Sequence, residues 1–170
     1  RYNGVDVFFD YARPAIVFES LPNFYILGLI NSKVSDFILN VIAPTLNFQI
    51  GDIKKLPVRF IPAKAGEVNK LVTDNIALSR SDWDSFETSW DFKRHPLLRG
   101  DIRISDAFSQ WKQLTDSQFN QLKANEEELN RIFIDIYGLQ DELAPEVEAK
   151  DVTIRRADLG RDIRSLLSYT

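Results

Sequence analysis

The chain contains no cysteine and no methionine, a single histidine, and seven glycines that never cluster. Without cysteine there is neither a disulfide framework nor a thiolate metal site, and the compartment is left open because cytosolic and secreted domains alike can do without it. His95 has no second histidine or carboxylate at ligand spacing, so it reads as an ordinary loop residue ahead of Pro96. Scattered glycines exclude a phosphate-cradling loop. Long apolar runs are also missing: the best stretch, residues 24–42, is interrupted by Asn31, Ser32, Lys33, Ser35, Asp36 and Asn40, which excludes a membrane span. No basic flank, apolar stretch and cleavage site opens the chain. Its start, Arg1-Tyr-Asn-Gly, fits a boundary inside a longer protein.

What is present is an apolar share of 44%, enough for one sizeable core or two small ones. The net charge of −4 is unevenly spread. Residues 1–60 hold six basic and five acidic side chains, 61–103 seven of each, 104–150 four against ten, and 151–170 four against three. Acidity therefore sits in 104–150, and the slightly basic remainder permits a phosphate-facing surface.

Val5-Asp-Val-Phe-Phe and Ala15-Ile-Val-Phe are short β-rich runs separated by Arg13-Pro14, which predicts strands. Ile26, Ile30, Val34, Phe37 and Val41 recur at helical spacing and predict one amphipathic helix ended by Pro44. Gly51-Asp52 supplies a turn, after which Val58, Phe60 and Ile61 suggest an edge strand among prolines. Val68, Leu71, Val72 and Ile76 predict a helix over 64–80, and Ser81-Asp82 can cap a short further one carrying Trp83, Phe86 and Trp90. A helix from Ser105 carries Phe108, Trp111 and Leu114. Thr115 to Gln118 offers a fresh start for a second, lined by Leu122, Leu129, Ile132, Phe133 and Ile136 and ending at Tyr137-Gly138. Residues 140–151 are acidic, contain Pro145 and read as an exposed connection, before a last amphipathic piece with Leu159, Ile163, Leu166 and Leu167. The expected fold is thus α+β and mainly helical: a truncated β-rich segment over 1–62, a helical spacer and loop over 63–103, and a helical region over 104–170.

Two patterns invite a chemical reading and have simpler ones. Glu148-Ala149-Lys150 matches half of a metal-dependent nuclease motif, but that motif needs a core strand and this triplet sits in a run of charge and proline. Trp83, Phe86, Trp90, Phe92, Phe108 and Trp111 are able to stack on bases, yet their helical spacing fits packed core better.

A more specific signal is Leu27-Gly-Leu-Ile-Asn-Ser-Lys followed by Pro44-Thr-Leu-Asn-Phe-Gln-Ile-Gly-Asp-Ile-Lys-Lys-Leu-Pro-Val. This pairing resembles the end of target-recognition domains in adenine-specific DNA methyltransferases of restriction-modification systems, with a related arrangement in type I specificity subunits. Ser89-Trp-Asp-Phe-Lys-Arg-His-Pro-Leu-Leu, then the stretch from Leu122 through Glu126-Glu-Glu and Tyr137-Gly138 to Leu143, and finally Val152-Thr-Ile-Arg-Arg-Ala-Asp-Leu-Gly-Arg-Asp-Ile-Arg-Ser-Leu-Leu-Ser-Tyr resemble the PglX-type methyltransferases of BREX phage-defence systems. Their ordered succession covers most of the chain.

The resemblance implies a cytoplasmic parent enzyme that uses S-adenosylmethionine and acts on double-stranded DNA, with residues 1–62 as the distal part of its target-recognition domain. It also implies other defence-system subunits as partners. No S-adenosylmethionine turn and no Asp/Asn-Pro-Pro-aromatic motif occur here, so no cofactor and no catalytic residue are expected in this chain. Lys33, Lys54, Lys55 and Arg59 are candidates for phosphate contact, and Asn31, Asn47 and Gln49 for reading base edges by paired hydrogen bonds. Two rival readings are a helical interaction module over 64–170 and a fragment of a type I specificity subunit.

Overall fold

A computed structural model of the chain describes residues 23–42, 50–98 and 103–170. Six helices make up the regular structure among the described residues: α1 Asn23–Ile30, α2 Lys33–Ile42, α3 Ile50–Ile53, α4 Pro62–Trp83, α5 Ile104–Tyr137 and α6 Leu159–Tyr169. The chain divides into two compact units, one of residues 1–73 and 126–146, the other of 74–125 and 147–170. Residues of α4 and of α5 fall in both. Among the described residues no single helix is long and apolar enough to cross a membrane.

The α+β expectation is corrected by this architecture, since no strand forms among the described residues. The runs at 5–9 and 15–18 lie outside them. Residues 57–61, expected as an edge strand, are irregular. Backbone polar groups must be satisfied somehow, and here two tyrosine side chains do it in place of a neighbouring strand. The hydroxyl of Tyr25 donates to the Arg59 carbonyl at 2.9 Å, while that of Tyr137 accepts from the Arg59 N–H at 3.1 Å and donates to the Pro57 carbonyl.

In the first unit the expected single helix over 24–42 is two, bent by 67°. The break follows from serine chemistry, because hydroxyls near a helix end compete for its backbone. Ser32 and Ser35 both donate to the Leu29 carbonyl, at 2.7 and 2.6 Å. The Lys33 N–H, which a continuous helix would direct at that carbonyl, donates instead to Asn130 Oδ1 at 3.0 Å. The core gathers Tyr25, Ile26 and Leu29 from α1, Val34 and Leu39 from α2, Val68 and Val72 from α4, and Leu129, Ile132 and Phe133 from α5. Each such side chain contributes about 1.5–3 kcal/mol on burial. Tyr25 meets Phe60 and Phe133 edge-on, with centroids 5.0 and 5.4 Å apart. At Gly28 an added Cβ would lie 3.0 Å from a methyl of Val72 and 3.2 Å from one of Val68, so a larger residue would make both valines give way by a few tenths of an ångström where α1 meets α4.

The second unit is organised by one stripe of α5, in which Ala107, Trp111, Thr115, Phe119 and Leu122 are buried at spacings of four, four, four and three. Phe119 and Leu122 pack with Val147, Val152 and Ile154, and Trp111 packs with Leu97 and Leu166 of α6. The fresh helix start expected at Thr115 does not occur. Its hydroxyl turns back to the Trp111 carbonyl at 3.1 Å and accepts the Ala157 N–H at 3.0 Å, so a cap-type residue serves as a mid-helix dock. The short helix expected after Ser81 is also absent: α4 runs on to Trp83 and a series of turns comes next.

The end of α5 matches expectation. Gly138 takes φ of +68°, Leu139 N–H donates to the Ile134 carbonyl at 3.0 Å, and Gly138 N–H to Asp135 at 3.2 Å, the double-bonded Schellman termination. Asp158 caps α6 by accepting the Arg161 N–H at 2.6 Å. The buried Asp162 carboxylate accepts from Trp111 Nε1 at 3.1 Å, Asp158 N–H at 3.0 Å and Arg161 Nε at 2.7 Å, fastening α6 to α5.

Candidate nucleic-acid-facing segment

Lys54, Lys55 and Arg59 share one short exposed segment of the first unit. It begins where α3 ends in a tight turn, with Lys55 N–H donating to Asp52 and Leu56 N–H to Ile53, at 3.0 and 3.1 Å. Buried Leu56 anchors the turn, and the tyrosine bonds at Pro57 and Arg59 hold the backbone beyond it. Burial raises the pKa of both phenols, Tyr25 and Tyr137, above the usual value. The result is a solvent-exposed segment of irregular backbone, held by hydrogen bonds, that carries three cations.

Availability differs among these cations. Both Lys54 and Lys55 are exposed. Lys55 pairs with Asp52 at 3.2 Å, but its side chain is 63% exposed, and such surface pairs are worth little. The Arg59 guanidinium lies over the Tyr137 ring at 5.5 Å and donates to the Ile136 carbonyl at 3.3 Å. Those contacts orient its plane, and no carboxylate pairs with it among the described residues.

Asn31 and Lys33 stand elsewhere, at the α1–α2 break, both exposed, and each donates to backbone carbonyls of the protein. Asn31 Nδ2 donates to the Leu27 carbonyl at 2.8 Å. Lys33 Nζ donates to the carbonyls of Ala144 and Glu146, at 3.1 and 2.5 Å. Asn130 completes that junction by donating to the Pro145 carbonyl at 3.1 Å. Asn47 and Gln49 lie outside the described residues. The residues that sequence reasoning missed are the polar supports Tyr25, Tyr137 and Asn130; polar tips within an otherwise apolar helical stripe were the available signal.

Lysine and arginine on one exposed segment are the residue types that meet phosphate, which is the ground of the sequence expectation. Among the described residues no three His, Cys, Asp or Glu side chains gather to hold a metal. Glu148 and Lys150 pair with each other at 2.8 Å on an exposed turn, not on a strand.

No protein-family model matches the chain. Similarity to individual proteins points to one class, the adenine-specific methyltransferases. The adenine-specific methyltransferase PglX of Lacticaseibacillus casei (strain Zhang) is 47% identical over 151 residues, 85% of this chain. The adenine-specific methyltransferase BrxX of Escherichia coli O9:H4 (strain HS) is 31% identical over 145 residues, 84% of this chain. The chain spans about 12% of the length of these curated relatives. Both names agree with the resemblance read from the motifs at 89–98, 122–143 and 152–169.

Proposed function

We propose that this chain is part of the DNA target-recognition region of an S-adenosylmethionine-dependent N6-adenine DNA methyltransferase of the phage-defence kind, with the catalytic centre elsewhere in the polypeptide. The observation that carries the reading is the 47% identity over 151 residues with a protein named as an adenine-specific methyltransferase. The exposed segment of Lys54, Lys55 and Arg59 supports the recognition role, because lysine and arginine supply phosphate contact without sequence choice. Base reading then falls to Asn47 and Gln49, beside that segment in sequence. Double-stranded DNA is the partner, S-adenosylmethionine is the cofactor of the whole enzyme, and the cytoplasm is where both are met.

Methylation-site sequencing with the full-length polypeptide tests this. Replacing Asn47 or Gln49 by Ala is expected to relax one position of the target while methylation continues, at a discrimination cost of about 1–3 kcal/mol for a lost paired contact. Unchanged target sequence in both variants, with full methylation, would remove the recognition role. Absence of adenine methylation by the native polypeptide would remove the enzyme reading itself.

A second reading, an interaction module in the helical part, is favoured by the acid-rich stretch 104–150 and by one fully exposed tryptophan in the second unit.

A further inference from the structure

Trp90 is 102% exposed, whereas Trp111 in the same unit is 4% exposed. An indole wholly in water is unusual on a turn that is otherwise tightly bonded. Ser89, buried, donates to Asp84 Oδ1 at 2.6 Å and accepts the Asp91 N–H at 3.1 Å, and its own N–H donates to the Phe86 carbonyl at 2.9 Å. Two residues on, Phe92 meets Tyr169 of α6 edge-on at 5.7 Å. Buried His95 then closes the turn by accepting the Leu97 N–H on Nδ1 at 3.3 Å. Trp90 is thus a large apolar group presented on a preorganised backbone, which makes its burial by a partner inexpensive in entropy. Lys93 and Arg94 come soon after it, exposed and without an ion-pair partner among the described residues.

We infer that Trp90 anchors this segment to another part of the same methyltransferase polypeptide, entering an apolar pocket whose rim carries carboxylates for Lys93 and Arg94 and cationic groups for Asp84, Glu87 and Asp91. The inference rests on the reading that the chain is a segment of such an enzyme. Two observations identify the occupant. The similarity covers about 12% of the relatives' length, so on that reading most of the polypeptide lies outside this chain and is covalently tethered to it, which raises its effective concentration at this turn. The turn also mixes charges, with Asp84, Glu87 and Asp91 among Lys93 and Arg94. A phosphate backbone is repelled by the former, whereas a protein surface answers both signs.

Hydroxyl-radical footprinting of the full-length polypeptide, read by mass spectrometry, compares Trp90 with Trp111 as the buried reference. The expected result is oxidation of Trp90 within about threefold of Trp111, and a rise of about tenfold in the Lys93→Glu/Arg94→Glu variant. Trp90 reacting tenfold or more faster than Trp111 in the native polypeptide would overturn the contact. Protection that appears only on adding duplex DNA would transfer the surface to nucleic acid, and protection lost on hundredfold dilution would transfer it to a second copy. DNA methylation by the same preparation is scored separately, so a failure of the enzyme reading is distinguishable from a failure of this contact.

Discussion

The backbone N–H of Lys33 donates to Asn130 Oδ1 at 3.0 Å, joining residues 97 positions apart and closing the break between α1 and α2. Asn130 is 4% exposed and spends its Nδ2 on the Pro145 carbonyl. Substituting Asn130→Ala removes the partners of two part-buried groups, the Lys33 N–H and the Pro145 carbonyl, at an expected cost of about 1–3 kcal/mol. Asn130→Asp keeps the acceptor and loses only the donor, so it should cost less. Urea denaturation of the two variants checks the order; equal loss in both would show that the Lys33 bond contributes nothing.

Lys33 and the Lys54–Lys55 pair should separate stability from DNA affinity. The Lys33 ammonium donates to two carbonyls in an exposed setting, so Lys33→Ala is expected to lower stability by about 0.5–1 kcal/mol, the range for solvent-screened contacts of a charged group. The double variant Lys54→Ala/Lys55→Ala should leave the denaturation midpoint nearly unchanged. In the full-length polypeptide it should weaken DNA binding and reduce the salt slope by at most about one unit per lysine, with the target sequence retained. Salt titration of duplex binding tests this, and an unaltered slope would show that neither lysine meets phosphate.

His95 should make the second unit acid-sensitive. Burial lowers its pKa below the ordinary value near 6.5, only partly offset by the charges of Asp162 and Glu87. The unfolded chain therefore takes up this proton first as pH falls, and stability drops between about pH 6.5 and the lowered folded value. Above the ordinary value the contribution is fully present. Denaturation midpoints at pH 8 and below pH 6 should differ more in the native chain than in His95→Gln; an identical difference would show that another group dominates.

Asp162 is the fastening point of α6, with three N–H donors on one buried carboxylate. Asp162→Ala leaves the Trp111 indole N–H and the Asp158 N–H without acceptors and should cost about 3–5 kcal/mol. Hydrogen exchange should then show α6 opening well before the rest of the unit. Protection of α6 at native levels in this variant would mean that Leu166 and Ile163 suffice to dock it.

Periodicity alone was enough to place the long helices, the end of α5 at Gly138 and the last amphipathic helix, because spacing of apolar residues and the left-handed preference of glycine act within a few residues. The same local rules misread four places, one of them the α1–α2 break, where a single helix was expected. Thr115 and Ser81 look like helix starts, yet one hydroxyl bonds back to Trp111 and docks Ala157, while the other accepts from Gln118 Nε2 at 3.1 Å inside a continuing α4. Val58, Phe60 and Ile61 look like a strand because β-branched and aromatic residues suit one, but a strand needs a neighbour and this segment's neighbours are two tyrosine hydroxyls. For the candidate site, sequence named the cations and amides, whereas only the folded chain decides which are available. Lys33 and Arg59 are equivalent as letters, and Lys33 alone has its charge taken up by two carbonyls that arrive from more than a hundred positions away. Composition and spacing are properties of neighbours along the chain; the fate of a polar group is set by partners that only tertiary structure brings within hydrogen-bond distance.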